Sequence, residues 1–111
     1  MACYKNNTDS ILQGTTPQLA IEIDPEDFAV SDVTALELRL KHRGKVTIYS
    51  LDNVEVDTET NTFIKTFTEE ETMALSPKNS IVGQCRFWFR DGGVVGTNKF
   101  VFNVDELQKE D

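Results

Sequence analysis

The stretch Ile81-Val82-Gly83-Gln84-Cys85-Arg86-Phe87-Trp88-Phe89-Arg90 alternates apolar and polar side chains, and a second apolar run covers residues 94–104. Alternation with a period of two predicts strands. The turn Asp91-Gly92-Gly93 between the two runs contains glycines, which permit the positive φ that tight turns need. The last third of the chain therefore predicts a β-hairpin.

One face of this predicted hairpin is rich in aromatic side chains. Its residues are Cys85, Phe87 and Phe89 on the first strand and Phe100, Phe102 and Val104 on the second. Because successive side chains of a strand point to opposite sides, these two rows predict one packed core and place Trp88 on the opposite face.

The upstream sequence repeats this pattern. The predicted strands are 9–13, 18–24, 33–42, 45–51, 53–57 and 62–67. The segment 33–42 alternates most clearly, and Arg43-Gly44 predicts a tight turn that pairs it with 45–51. Turn signals recur about every ten residues, which is typical of a sandwich or barrel. We expect one β domain over 9–104, a flexible N-terminus over 1–8 and an acidic tail over 105–111.

A short helix is predicted after the sixth of these strands. Thr68-Glu69-Glu70-Glu71 matches the capping box, in which the threonine hydroxyl and the third glutamate satisfy each other's backbone amides. One short helical turn should lie near 69–75 and end by Ser76-Pro77. Met73 and Leu75 are expected to fasten this turn to the core.

Composition limits the function classes. The 111 residues are 39% hydrophobic with seven Phe, which indicates a folded chain. Nineteen acidic and eleven basic residues give a net charge of −8, which disfavours binding to nucleic acid or to an anionic membrane. Membrane spans need about eighteen or more apolar residues, and neither such a run nor a signal-peptide core is present, so we expect a cytoplasmic chain.

The sequence offers no arrangement of residues typical of catalysis. His42 is the single histidine, so a Ser or Cys nucleophile would lack its usual base, and we expect His42 to be a solvated loop residue. Cys3 and Cys85 lack the paired spacing of a zinc site or a disulfide framework, and Cys85 is expected to be a buried hydrophobe. We therefore predict no enzyme, no metal and no cofactor.

Acidic groups at 24–27, 69–71 and 105–106 leave calcium binding or glycoside hydrolysis open. Each group nevertheless lies in a predicted turn, helix start or tail, where carboxylates favour solubility and capping. The glycines of 92–96 lack the lysine and the following helix of a phosphate-binding loop.

Two features are candidates for contact with another protein. Arg39, Lys41, Arg43 and Lys45 place four of the eleven basic residues around one hairpin tip. They could dock on an acidic patch of a neighbouring copy, although a solvated tip explains the same run. Trp88 is either an interface anchor or a residue that packs on a second buried face of its strand.

Several short motifs together carry a resemblance to a known family. They are Ile11-x-Gln13-Gly14, a strand after Pro17, Phe67-Thr68-x-Glu70-Glu71-Thr72, Gln84-x-Arg86, Asp91-Gly92, Thr97 and Phe100-x-Phe102-x-Val104. Over roughly residues 9–107 the chain resembles small structural proteins of phages and prophages, and it looks like the immunoglobulin-like domain at the start of baseplate upper proteins.

The resemblance implies an all-β, immunoglobulin-like antiparallel β-sandwich of about seven to eight strands. It also implies a non-enzymatic tail or baseplate attachment module whose partners are other virion proteins or copies of itself. Such a protein moves from the host cytoplasm into the virion. Family members often continue into a helical linker, so a stand-alone adaptor and a truncated fragment both fit. The alternative function is a soluble binding domain for carbohydrate or a host protein.

Overall fold

The computed structural model describes the backbone of residues 4–6 and both backbone and side chains of residues 10–106. These residues form ten strands, one short helix and two 3-10 turns, Val30–Asp32 and Leu51–Asn53. The strands are β1 (Tyr4–Asn6), β2 (Ser10–Leu12), β3 (Gln18–Ile23), β4 (Val33–His42), β5 (Lys45–Ser50), β6 (Glu55–Asp57), β7 (Thr62–Thr66), β8 (Ile81–Phe89), β9 (Val94–Gly96) and β10 (Phe100–Asp105), and the helix is α1 (Glu69–Met73).

The strands form two sheets. One has the order β1-β3-β7-β6, and the other has the order β2-β10-β8-β4-β5 with β9 paired to β8. All pairs are antiparallel except β2 with β10, which is parallel. Buried side chains from both sheets form one core. The predicted all-β sandwich is confirmed; it has ten strands where about seven to eight were expected, and β1 and β2 are divided between the sheets.

The predicted strand over 94–104 is divided in two by a bulge. β9 ends with Gly96 opposite Arg86, and β10 begins with Phe100 opposite Gly83. Three residues, 97–99, therefore face two residues of β8, which is the count of a β-bulge. Thr97 holds the bulge in place, since its amide donates to the Cys85 carbonyl at 2.9 Å and its hydroxyl accepts from the Cys85 amide at 3.0 Å.

Strand pairing extends into both predicted terminal segments. Tyr4–Asn6 forms β1, with Tyr4 opposite Ile23 of β3, although 1–8 was expected to be flexible. Asp105 is the last residue of β10 rather than the first of a tail. Residues 1–3, 7–9 and 107–111, and with them Cys3, lie outside the described residues.

The capping box at α1 is confirmed. The Thr68 hydroxyl accepts from the Glu71 amide at 3.1 Å, and the Glu71 carboxylate accepts from the Thr68 amide at 2.8 Å. Leu75 packs against the core as expected, but Met73 is exposed, so its predicted role was wrong. The helix is fastened instead by buried Thr72, whose hydroxyl donates to the Thr15 carbonyl at 2.8 Å.

Asn61 organises the opposite end of the sandwich. It has a positive φ of 54°, and its side-chain amide donates to the carbonyls of Ile23 and Phe28, both at 2.9 Å. Its side-chain oxygen accepts from the Val30 amide at 2.8 Å. One buried side chain thus fixes the loop between β3 and β4, a long-range role that the local sequence around Asn61 could not reveal.

Phe87 lies at the centre of the core. Its ring stacks on Phe63 of the facing sheet with 5.4 Å between centroids, and Phe28 meets it at 5.2 Å. Phe89, predicted to share this buried row, is only half-buried and packs edge-on against Phe28. Phe87 therefore joins the two sheets directly at the centre of the core.

Replacing this central ring should be costly. We expect Phe87→Ala to lower the free energy of unfolding by about 3–5 kcal/mol, because a buried ring is removed and a cavity is left. Val101→Ala, at an exposed position of β10, is the control, with an expected change within about 0.5 kcal/mol. Urea denaturation of both variants measures the difference, and similar midpoints would contradict the central role of Phe87.

Candidate functional site

The outer surface of the six-stranded sheet carries most of the predicted contact residues. The inward positions of β4 and β8, such as Leu38 and Cys85, are buried in the core, so the alternate positions point outward. Cross-strand partners share a face, which adds residues of β5, β9 and β10. We call this surface the basic face; it comprises Glu37, Arg39, Lys41, Val46, Ile48, Val82, Gln84, Arg86, Trp88, Val94, Lys99 and Val101.

The charge of the basic face is opposite to that of the whole chain. Its four cations are Arg39, Lys41, Arg86 and Lys99, and its single carboxylate is Glu37. The Arg86 guanidinium donates to Glu37 at 3.0 Å, and that of Arg39 lies 3.3 Å from the same oxygen. A local charge of +3 therefore occupies one sheet surface of a chain whose net charge is −8.

Apolar side chains lie between these charges. Ile48 and Val101 are 53% and 60% exposed, and Val46 and Val94 are exposed beside them. In register, Ile48 is opposite Arg39 and Val46 is opposite Lys41. Exposed aliphatic groups interleaved with arginine are typical of surfaces that bind another protein.

Trp88 lies within the basic face and is half-buried. The guanidinium carbon of Arg86 sits 5.0 Å from the Trp88 ring centroid, a cation–π distance. A second buried face would need a layer of protein over this sheet, whereas Ile48 and Val101 on the same face are exposed. Trp88 is therefore covered by a neighbouring side chain rather than by a second core.

Two shallow depressions mark the centre of the face. One, of about 320 Å³, is lined by Glu37, Arg39, Gln84 and Arg86. The other, of about 260 Å³, is lined by Arg39, Lys41, Val46, Val82, Gly83, Gln84 and Lys99. Arg39 lines both depressions, so the two adjoin on the surface of the sheet.

The predicted basic run is divided by the fold. Arg39 and Lys41 lie on the basic face, but Arg43 lies in the two-residue turn beyond it and Lys45 begins β5 opposite His42. Arg43 and Gly44 have φ of 55° and 77°, which matches the type I′ turn of a tight hairpin. The tip cations therefore sit beside the basic face rather than within it.

His42 is not the solvated loop residue that was expected. It is the last residue of β4, and its Nε2 accepts from the Ser76 amide at 2.9 Å. Its Nδ1 lies 3.4 Å from the Ser80 carbonyl. The imidazole thus joins the end of β4 to the loop that precedes β8, a contact between segments 34 residues apart in sequence.

A second polar cluster closes one end of the core. Lys65 points inward from β7 and is buried, with its amine 3.4 Å from the Glu71 carboxylate and 4.3 Å from the Tyr49 ring centroid. The Tyr49 hydroxyl donates to the other Glu71 oxygen at 2.5 Å. We call Tyr49, Lys65 and Glu71 the carboxylate cluster. All of its polar atoms bond within the protein, which indicates a structural role.

The cluster shifts the acidity of its members. Burial, and then the Glu71 carboxylate, raise the pKa of Tyr49 far above its ordinary value of 10.0. Partial burial alone would raise the pKa of Glu71, but hydrogen bonds from Tyr49 and Thr68, together with Lys65, outweigh it and lower that pKa below 4.5. The raised pKa keeps Tyr49 protonated as a hydrogen-bond donor, and the lowered pKa keeps Glu71 ionised as its acceptor.

Cys85 is the free thiol of the described residues, and it is fully buried on β8. Burial, and then the nearby Glu37 charge, raise the pKa of Cys85 to about 12, so the nucleophilic thiolate is suppressed. In the same part of the chain, no group of three or more His, Cys, Asp or Glu side chains could hold a metal ion. No helix among these residues is long and apolar enough to cross a membrane.

Sequence reasoning missed several members of the basic face. Arg86 lies two residues before Trp88, so strand alternation places the two on one side and could have identified it. Val101 alternates with Phe100 and Phe102, so the same rule could have placed it outward, whereas the bulge at 97–99 hid the side taken by Lys99. The exposure of Ile48 could not be read from its residue type, because isoleucine is most often buried.

Comparison with known proteins identifies no relative, so the geometry described above is the basis for a functional interpretation. No protein-family model matches the chain, and no curated protein shows significant similarity to it.

The carboxylate cluster predicts a pH-dependent stability. Because the pKa of Glu71 is lowered on folding, its contribution is complete above about 4.5 and is lost as the pH falls further. Glu71→Gln should therefore lower the free energy of unfolding by about 1–2 kcal/mol at pH 7, since it removes charge-assisted hydrogen bonds. The gap to the wild type should close in more acidic solution.

Urea denaturation at several pH values between about 7 and 3 measures this gap. Glu70→Gln is the matched control, because Glu70 lies in the same first turn of α1 and is exposed. A gap that stays constant through this range, or an equal effect of both variants, would contradict the role assigned to Glu71.

Proposed function

We propose that this protein is a non-enzymatic structural protein of a phage or prophage, acting by protein–protein contact in tail or baseplate assembly. The observation that carries the proposal is the basic face, where cations and exposed aliphatic side chains share one sheet surface. Its partners are then other tail or baseplate proteins, with copies of the same chain among them. The protein is made in the host cytoplasm and ends in the virion.

The composition of the basic face supports contact with a protein. Trp and Arg are enriched where interfaces concentrate their binding energy, and the two meet in the Arg86–Trp88 pair at 5.0 Å. Arg39 lies between two depressions that a partner's side chains could fill. Ile48 and Val101 supply the apolar surface whose burial favours association.

The alternative is a binding domain for carbohydrate or a host protein. Sugar recognition commonly uses an open aromatic ring, whereas the Arg86 side chain lies over the ring of Trp88. The depressions on the basic face are shallow and open, so they enclose little of a small ligand. These features favour a broad protein contact over a sugar pocket.

A direct test asks where the protein is found. Particles from the strain that carries the gene, induced and purified on a density gradient, should contain the chain in a fixed ratio to known tail proteins by mass spectrometry. Tailless particles from the same preparation are the control. A chain absent from intact particles, or one recovered only as free protein that binds a glycan array, would overturn the proposal.

Trp88 should separate binding from folding. We expect Trp88→Ala to leave the melting temperature nearly unchanged and to weaken association with the partner by roughly 2 kcal/mol, about 30-fold, as an interface hot spot does. Val56→Ala, an exposed apolar change on the other sheet, is the control and should leave affinity unchanged. A mutant that unfolds would assign the ring to packing instead.

A further inference from the structure

The outer surface of the four-stranded sheet complements the basic face. The residues that alternate with buried Leu19, Ile21 and Phe63 point outward. They and their cross-strand partners are carboxylates, small polar groups and two apolar side chains. We call this surface the acidic face; it comprises Gln18, Ala20, Glu22, Glu55, Asp57, Ile64 and Thr66.

The acidic face has no cation among the side chains that the structure describes. Glu55 is opposite Ile64, and Ile64 is opposite Ala20, so an apolar strip runs beside a carboxylate. Glu22 is in register with Lys5 of β1. The side chains of the acidic face include three carboxylates, Glu22, Glu55 and Asp57, while the basic face carries +3.

We propose that a second copy of this chain places its basic face on the acidic face, so that sandwiches associate head to tail. The proposal rests on the assembly function and names its partner. Pairing two basic faces would set four cations against four others, which is unfavourable. The head-to-tail contact instead sets cations against carboxylates, and it brings Ile48 and Val101 toward Ile64 and Ala20.

The size of the surface sets the expected strength. The acidic face is the smaller of the two: its four strands are three to six residues long and about 4.8 Å apart, so they cover at most roughly 20 by 20 Å. This footprint is below that of a standard stable interface, so association should be weak and sensitive to salt. Each added copy leaves one basic and one acidic face open, which is the geometry of a ring or a filament.

Two charge-reversal variants test this arrangement by sedimentation velocity. Arg39→Glu with Arg86→Glu reverses the basic face, and Glu22→Lys with Glu55→Lys reverses the acidic face. The wild type should self-associate, with the dissociation constant rising at least tenfold between about 0.05 and 0.5 M salt. Each double variant alone should lose self-association by at least tenfold.

Mixing distinguishes head-to-tail contact from pairing of like faces. The two double variants combined should associate with each other, because each retains one face that matches a face of the other. If the acidic-face variant still dimerises alone, the basic faces pair with each other and the proposal fails. A wild type that is monomeric at all concentrations and salts also overturns it.

Controls keep the result interpretable. Lys78→Glu and Glu26→Lys change charge in exposed loops and should leave association unchanged. Circular dichroism melts confirm folding, and single Arg39→Glu and Glu55→Lys variants replace a double variant that unfolds. A monomeric chain that is nevertheless present in particles would refute the self-contact alone, whereas absence from particles would refute the assembly function.

Discussion

The stacked rings of Phe63 and Phe87, one from each sheet, hold the two sheets against each other, and the positions of the surface residues depend on this packing. A sandwich core is about 10 Å thick, and two aromatic side chains that meet near its middle fill that space without a cavity. Phe87 takes an inward position of β8, and strand alternation then directs Arg86 and Trp88 outward. The packing that holds the sheets together thus also determines which side chains reach the surface.

Polar groups close both ends of this aromatic core. At one end of β7, Asn61 satisfies three backbone groups, and at the other Lys65 and Glu71 form an ion pair at 3.4 Å. Within the described residues, every buried side-chain nitrogen and oxygen has a hydrogen-bond partner. Such satisfied networks favour one arrangement, because any displacement leaves a buried polar group unpaired.

Local signals explain what could be predicted from the sequence. The strand over 33–42, its hairpin with β5 and the Thr68 cap depend on alternation, turn residues and one side-chain bond, all within a few residues. The roles of His42 and Asn61 depend on loops 31 or more residues away, so the local pattern could not reveal them. Met73 was misassigned because the short helix turns Thr72 toward the core.

The candidate site likewise has members that could be predicted from the local sequence and members that could not. Trp88, Arg39 and Lys41 were identified from residue type and alternation, and the fold brings them onto one sheet surface. Lys99 joins them only because of the extra residue in the bulge, and Arg43 and Lys45 are separated from them by the tight turn. Residue type could therefore suggest individual members of the basic face, while the extent of that surface required the register of the strands.

The parallel pair of β2 and β10 has a mechanical consequence. β2 lies near the start of the described chain and β10 near its end, with Ser10 opposite Asn103 and Leu12 opposite Asp105. Force that pulls the segment before β2 away from the segment after β10 runs along both strands in opposite directions. Their hydrogen bonds are then loaded together in shear rather than opened one at a time, which gives the domain resistance to tension along these two strands.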